Sequence, residues 1–181
     1  MVDARVLRSK AKIREAFVNL LQNQELKDVR VQDVSVLSGV GYSTFYRHYA
    51  TREDLIAEIA EFEVSGLFEI TYPALRAGPS SLAVCRFFAC HIDERRHLWT
   101  ALTSSMAAPI LRRIMVTGML KASDNAPIGS GFLPRDFSAS MAGSIMVELL
   151  SWWLRQKEDS SVDFLAEAID RMIVKPAFYC W

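Results

Sequence analysis

Apolar side chains recur at intervals of three and four residues along most of the chain, which is the spacing that predicts amphipathic helices. Residues 6–22 show this pattern clearly, with apolar side chains at Ile13, Ala16, Phe17, Leu20 and Leu21. No stretch alternates apolar and polar residues as a half-buried strand does, and no internal repeat occurs. The pattern therefore predicts an all-α fold.

Polar or Gly/Pro-rich breaks divide the rest of the chain into further helices. Thr51 is expected to cap a long helix, with Asp54 completing a variant of the capping box. The apolar stripe of that helix is predicted to comprise Leu55, Ile56, Ile59 and Phe62. Residues 76–81 and 123–134 are rich in Gly, Pro and Ser, which predicts loops. Further helices are predicted over residues 82–92, 93–103, 107–122, 135–156 and 162–178.

Residues 31–55 form a distinctive stretch, in which one short helix, a sharp turn and a second short helix precede the long helix. Val31, Val34 and Leu37 are spaced by three and are predicted to form the inner stripe of the first short helix. Gly39 stands at the turn, where we expect a positive φ that glycine adopts without steric cost. Gly41 is expected to act as the N-cap of the second short helix.

The second short helix is predicted to have one buried and one exposed face. Phe45 and Tyr49 lie four residues apart and would be buried together. A polar, aromatic and cationic set is left on the outside: Tyr42, Ser43, Thr44, Tyr46, Arg47 and His48. A helix-turn-helix presents such a surface to the major groove of DNA.

The sequence GVGYSTFYRHYATREDL resembles the recognition segment of TetR-type transcriptional repressors. The resemblance is carried by Gly39-Val40, Phe45-Tyr46, Tyr49 and the segment 52–55, and it extends upstream through residues 12–21. It covers about the first third of the chain. Gly41 departs from the pattern by replacing the usual Ser cap, and Val31 departs from it because a Thr often stands there.

The resemblance implies a three-helix helix-turn-helix domain over residues 1–52 and a helical effector-binding and dimerisation domain over residues 53–181. It also implies that double-stranded operator DNA is the partner. We expect Ser43, Thr44 and Arg47 to reach base edges, with Tyr42 as a further candidate. We expect Tyr46, His48 and Arg52 to contact phosphates, with Gln32 as a further candidate.

The distribution of charge favours the same division of the chain. The net charge is zero, but residues 1–52 carry nine Lys/Arg against five Asp/Glu, and residues 53–181 carry twelve against sixteen. A basic first third suits a module that binds a polyanion. The sequence shows no apolar run long enough for a transmembrane helix and no apolar signal region at its start, so we expect a cytoplasmic protein without membrane contact.

Other chemistry has little support in the sequence. The three cysteines, Cys85, Cys90 and Cys180, form no CxxC pair, and we interpret the first two as small core residues. A metal-assisted hydrolase around His91 and His97 ranks third among the functional hypotheses, because their spacing of six places them on different helical faces unless a break intervenes. The chain also has no GxSxG, P-loop or dinucleotide fingerprint, so we expect no enzyme activity, no cofactor and no metal.

The second module is rich in aromatic and Met side chains, which suits an adaptable apolar pocket as well as an ordinary core. Under the resemblance, this module binds a small effector. The candidate pocket residues are Phe87, Phe88, Trp99, Met106, Met115, Met119 and Met141.

The last two predicted helices carry broad apolar surfaces, which a single subunit could satisfy by itself. In TetR-like proteins, however, the corresponding helices pack against their copy as a four-helix dimer interface. The candidate interface residues are Met141, Ile145, Leu149, Trp152, Trp153, Leu165, Ile169 and Met172. A two-fold dimer would place two recognition helices on a palindrome.

The sequence as a whole predicts a dimeric, ligand-responsive transcriptional repressor, which a small and largely apolar effector releases from a palindromic operator. The alternative is a family member that lost DNA binding and acts as a protein co-activator or a small-molecule-binding protein. The cationic surface around Tyr46 and Arg47 argues against this alternative.

Overall fold

The computed structural model describes residues 4–78, 80–123, 133–156 and 161–178. Every regular element within these ranges is helical, in agreement with the predicted all-α class. The chain forms two compact units, Met1–Ile59 and Ala60–Trp181. Most of the predicted loop at 123–134, as well as Cys180, lies outside the described residues.

Unit 1 contains three helices and the beginning of a fourth. They are α1 (Ala4–Leu20), α2 (Val31–Ser38), α3 (Tyr42–His48) and the first part of α4 (Arg52–Arg76). Its core is fully buried and consists of residues from all four helices: Ile13, Phe17, Val34, Phe45, Leu55 and Ile56. The prediction that Leu37 belongs to a buried stripe is wrong, because 53% of its surface is exposed.

The long helix α4 begins with the predicted reciprocal cap. The amide of Asp54 donates to the Thr51 hydroxyl at 3.1 Å, and the amide of Thr51 donates to the Asp54 carboxylate at 2.9 Å. These bonds satisfy donors that a helix start leaves unpaired. The helix continues past Pro73 to Arg76. The prediction that Phe62 is buried is wrong, because 54% of its surface is exposed.

Unit 2 contains the rest of α4 and the remaining helices. They are α5 (Ser81–Glu94), α6 (Arg96–Leu102), α7 (Ala108–Ser123), α8 (Arg135–Arg155), α9 (Val162–Ile169), a π-helical segment (Asp170–Val174) and α10 (Lys175–Phe178). The largest side chains in its core are Trp99 and Trp153, both with no exposed surface. Close contacts are most extensive between α5 and α9 and between α7 and α8.

The side chain of Glu63 on α4 is charged yet buried inside unit 2, with only 4% of its surface exposed. An Arg95 guanidinium nitrogen lies 2.9 Å from one carboxylate oxygen, and Nε2 of His91 lies 3.5 Å from the other. A buried charge is tolerated when it is paired in this way. The pair joins α4 to the junction between α5 and α6.

Candidate nucleic-acid interface

The turn between α2 and α3 depends on Gly39. Its φ of 66° lies in the left-handed region, as predicted, and its amide donates to the carbonyl of Val36 at 3.3 Å. Val40 is buried directly after the turn, and its amide donates to the Ser38 hydroxyl at 3.2 Å. Gly41 then caps α3 with an extended backbone, which is also as predicted. These bonds set the orientation in which α3 starts.

Helix α3 is divided between a buried and an exposed face. Phe45 and Tyr49 are almost fully buried, as their spacing predicts. The residues of α3 that are predicted to contact DNA lie on the outside or at the edge of the helix. Tyr42, Ser43, Tyr46 and Arg47 are exposed, whereas Thr44 and His48 are half-buried; Gln32 on α2 is exposed.

The aromatic residues of α3 contact one another. The rings of Tyr42 and Tyr46 have centroids 5.6 Å apart, and the ring of Phe45 meets that of Tyr46 edge-on at 5.5 Å. Tyr46 is therefore half-exposed yet positioned by a buried neighbour. Aromatic pairs in such geometry are favourable beyond the area that they bury.

The C-terminal end of α3 is joined to α1 and α4 by a polar cluster. The Tyr49 hydroxyl donates to one carboxylate oxygen of Glu58 at 2.8 Å, and Lys10 forms an ion pair with the other. The Lys10 ammonium also lies 5.2 Å from the centre of the Tyr49 ring. Burial, together with the Glu58 carboxylate, raises the pKa of Tyr49 well above its usual value. The hydroxyl therefore stays protonated and continues to donate.

His48 faces α1 rather than standing free. Its Nε2 lies 2.7 Å from the Ser9 hydroxyl, which itself donates to the Val6 carbonyl at 3.0 Å. Because the hydroxyl hydrogen is used there, Nε2–H of His48 is the donor to Ser9. Burial, followed by the positive charges of Arg47 and Lys10, lowers the pKa of His48. The neutral ring then has an unprotonated Nδ1, so donation from that nitrogen to a phosphate requires the imidazolium form.

Arg52 has a structural task that the sequence did not indicate. One guanidinium nitrogen lies 3.4 Å, 3.4 Å and 3.1 Å from the carbonyl oxygens of Leu26, Lys27 and Val29, respectively. It thus holds the connection between α1 and α2. Its predicted phosphate contact stays a prediction, but its guanidinium is already engaged within unit 1.

The exposed face of α3 offers recognition chemistry. Arg47 carries several donors in a planar fork, Ser43 and Thr44 carry hydroxyls that donate and accept, and Tyr46 adds a phenol. Among the described residues, no group of three or more His, Cys, Asp or Glu side chains is arranged to hold a metal ion. In the same part of the chain, none of the helices has both the length and the apolar character needed to cross a membrane.

Unit 2 contains an apolar cavity of about 50 Å³. Of the predicted effector residues, Phe88 and Met119 line it. Trp99 and Met115 are buried elsewhere in the core, and Phe87, Met106 and Met141 are between 39% and 47% exposed. The sequence missed several lining residues because only tertiary packing brings them together: Phe68, Thr71, Tyr72, Leu75, Val84, Cys85, Met146, Ile169, Ile173 and Val174.

The predicted interface residues fall into two groups. Trp153, Leu165 and Ile169 are almost fully buried within unit 2, so they belong to the core of the protomer and cannot form a contact surface; this corrects the prediction for these three. The other members retain exposed surface. Met141, Trp152 and Met172 are between 43% and 53% exposed, and Ile145 and Leu149 are half-buried.

Comparison with known proteins finds similarity to transcriptional regulators. No protein-family model matches the chain. A curated relative, described as an uncharacterized HTH-type transcriptional regulator YxbF of Bacillus subtilis (strain 168), is 32% identical over 56 residues. The match covers 30% of this chain and only 15% of the length of that protein.

Solved structures match over nearly the whole chain. A TetR transcriptional regulator from Streptococcus agalactiae 2603V is 25% identical, with a TM-score of 0.62 over 93% of this chain and 95% of that protein. One from Rhodococcus sp. RHA1 is 16% identical, with a TM-score of 0.66 over 93% and 94% of the respective chains. RolR in complex with resorcinol is 17% identical, with a TM-score of 0.62 over 93% and 89%.

The fold is therefore that of TetR transcriptional regulators, and the resemblance found in the sequence is confirmed. The proteins to which the chain is similar are described as regulators and not as enzymes, which supports the expectation that the chain is not an enzyme.

Proposed function

We propose, from the premise that this chain is a TetR-type helix-turn-helix protein, that it is a dimeric transcriptional repressor which binds palindromic operator DNA and is released by a small, largely apolar effector. The observation that carries this proposal is the division of α3, in which Phe45 and Tyr49 are buried while Arg47 and its polar neighbours remain exposed. Such a helix can enter the major groove without unfolding its own core.

Base recognition is assigned to the exposed face of α3. The fork of Arg47 can donate two hydrogen bonds to the N7 and O6 atoms of one guanine. Ser43 and Thr44 lie in the first turn of the helix and can donate to base edges or accept from them. Tyr42, at the leading end, is the fourth candidate.

Phosphate contacts are assigned to residues around this face. Tyr46 is exposed and held by Phe45, which suits a fixed hydroxyl donor. Gln32 lies in the first turn of α2 and is exposed, so its amide can donate to a phosphate. His48 can contribute when it is protonated. Arg52 contributes only with the guanidinium hydrogens that its carbonyl contacts leave available.

The dimer is supported by the exposed apolar surface on α8 and on the π-helical segment Asp170–Val174. Met141 and Trp152 on α8, and Met172 in the π-helical segment, are about half exposed. Burial of such side chains against a second copy would contribute roughly 25 cal/mol for each Å² of apolar surface removed from water. A dimer is also required functionally, because a recognition helix of seven residues reads few base pairs.

Effector binding is assigned to the apolar cavity in unit 2. RolR, which has the same fold, forms a complex with the ligand resorcinol, and this supports a small-molecule site in a protein of this fold. Helix α4 contributes Glu58 to unit 1 and Phe68 to the cavity wall in unit 2. A ligand that displaces the second half of α4 would therefore act on the helix that also contacts Tyr49, which gives a route for coupling.

The functional domains are proposed as residues 1–52 for DNA binding and 53–181 for effector binding and dimerisation. The boundary between the compact units falls a few residues later, inside α4. The alternative, a protein that lost DNA binding, is not favoured, because Tyr46 and Arg47 remain on the surface of an intact helix-turn-helix.

Selection from a random pool of double-stranded DNA tests this proposal, combined with light scattering of the free protein. We expect the selected sequences to converge on a palindrome whose half-sites lie roughly 34–36 Å apart. We expect light scattering to give the free protein a mass equal to that of two chains. Failure to enrich any sequence from a well-folded dimer would contradict the function, and a monomeric mass would contradict the assembly.

A further inference from the structure

A wide groove in unit 2 lies beside the apolar cavity. The groove has a volume of about 790 Å³ and is lined by residues of α4 and α7, among them Phe68, Tyr72, Arg76 and Lys121. Phe68 and Tyr72 also line the cavity. These two side chains therefore form a wall common to both spaces.

The wall is a pair of aromatic rings. The rings of Phe68 and Tyr72 lie one helical turn apart on α4, with centroids separated by 5.1 Å and an edge-to-face arrangement. The ring of Phe68 is seated against Gly118 of α7, since a Cβ atom at that position would lie only 2.8 Å from the ring. The glycine thus provides the space that the ring of Phe68 occupies.

The two spaces differ in polarity. Among the described residues that line the cavity, none is charged. The groove is lined by two cations, Arg76 and Lys121, and one anion, Glu69. Within the described part of the chain, neither cation forms an ion pair with a carboxylate. An apolar chamber thus adjoins an open groove with a surplus of positive charge.

We propose that the cavity and the groove are two parts of one ligand site, and that its ligand is an amphipathic molecule with an apolar tail and an anionic head. This inference rests on the proposed effector function, which it makes specific. The tail passes between Phe68 and Tyr72 into the cavity, and the head stays in the groove beside Arg76 and Lys121. A cavity of about 50 Å³ is too small for a long tail, so Met119 and Met146 in its lining rearrange to admit it.

Calorimetric titration of the whole 181-residue chain tests the proposed ligand site. The anionic probes are butanoate, hexanoate and octanoate, the neutral probe is 1-octanol, and the cationic probe is octylamine. We expect the affinity for the carboxylates to rise by up to about fourfold per methylene, the factor that burial of one CH₂ group gives. We expect octanoate to bind at least about fivefold more tightly than octylamine. The carboxylate is attracted by Arg76 and Lys121 and repelled by Glu69 alone, whereas an ammonium group experiences the opposite balance.

The variant that replaces both groove cations, Arg76→Gln with Lys121→Gln, should lose the preference for octanoate while its affinity for 1-octanol is unchanged. Because Glu69 remains in the groove, this variant should bind octylamine at least as tightly as octanoate. The matched control is Arg112→Gln with Arg113→Gln, which removes two exposed cations of α7 that do not line the groove; it should keep the preference. Phe68→Ala should accelerate association of octanoate, because it removes the wall, and Phe68→Leu should do so less.

Three results would overturn the inference. They are affinities that do not change with the length of the carboxylate's alkyl chain, equal binding of octanoate and octylamine by the unmodified protein, and a preference for octanoate over octylamine that survives loss of both groove cations. Absence of binding by every probe would also overturn it. None of these results affects the selection of DNA by the same protein, so the inference can fail while the regulatory function stands.

Discussion

The hydroxyl of Tyr49, at the end of the recognition helix α3, donates a hydrogen bond of 2.8 Å to Glu58 of α4. Glu58 is paired at the same time with Lys10 of α1, so one carboxylate joins three helices. The orientation of α3 is therefore set by a polar contact as well as by the burial of Phe45.

Replacement of Tyr49 by Phe should lower the free energy of unfolding by about 1.5 kcal/mol, because a partly buried hydrogen bond to a charged group is lost while the ring is retained. Urea denaturation measures this change. Tyr46→Phe is the matched control, since its hydroxyl belongs to a half-exposed ring, and its stability should equal that of the unmodified protein. Equal stability of Tyr49→Phe and the control would contradict the assigned role of the Glu58 contact.

Arg52→Ala should destabilise unit 1 by about 1–3 kcal/mol, because three carbonyl groups in the connection from α1 to α2 lose their charged donor. Urea denaturation and proteolysis near residues 26–29 both report this loss. Arg30→Ala removes an exposed arginine from the same region and should have little effect. If Arg52→Ala left stability intact and only reduced the salt dependence of DNA binding, the phosphate role would be its main one.

Gly39→Ala should cost about 1–2 kcal/mol of stability, because an alanine at a φ of 66° brings its Cβ close to the backbone. Crowding by residues from elsewhere in the described chain does not contribute, since none of their atoms lies within 4 Å of the added Cβ. Gly41→Ser is the companion variant: its φ of −61° is ordinary, and a serine N-cap should preserve or slightly raise stability. Thermal unfolding of both variants checks the pair, and an unchanged midpoint for Gly39→Ala would refute the strained-turn argument.

Operator affinity should increase as the pH falls from about 8 to about 6. In the free protein, burial and the nearby charges of Arg47 and Lys10 hold the pKa of His48 below its usual value, so the ring is neutral at pH 7. A DNA phosphate favours the imidazolium, so binding takes up a proton, and a lower pH supplies it. Anisotropy titrations across this range measure the slope. His48→Gln should flatten it, and an unchanged slope in that variant would remove His48 from the interface.

Local spacing predicted the recognition region well. Gly39 at the turn, Gly41 at the cap and the buried pair Phe45 and Tyr49 are all determined by neighbours within a few residues. Leu37 was misassigned because a helix of only eight residues has too few apolar positions to define its buried face.

Contacts between residues distant in the sequence could not be predicted in this way. Glu63 and Arg95 form an ion pair although they lie far apart in the sequence, and the carbonyl groups that bind Arg52 lie more than twenty residues before it. The lining of the cavity was missed for the same reason, since an apolar periodicity predicts which side chains are buried but not which of them border a void.

Recognition of a base by Arg47 is tested by fluorescence anisotropy on the selected palindrome and on a scrambled duplex, at two salt concentrations. Lys27→Ala is the matched control, because it removes an exposed cation that is paired with Glu25 in a loop of the same unit. We predict that Arg47→Ala weakens palindrome binding by about 1–3 kcal/mol and reduces the preference over scrambled DNA, whereas Lys27→Ala preserves both. Unchanged binding by Arg47→Ala, or an equal loss on both duplexes, would contradict the assignment.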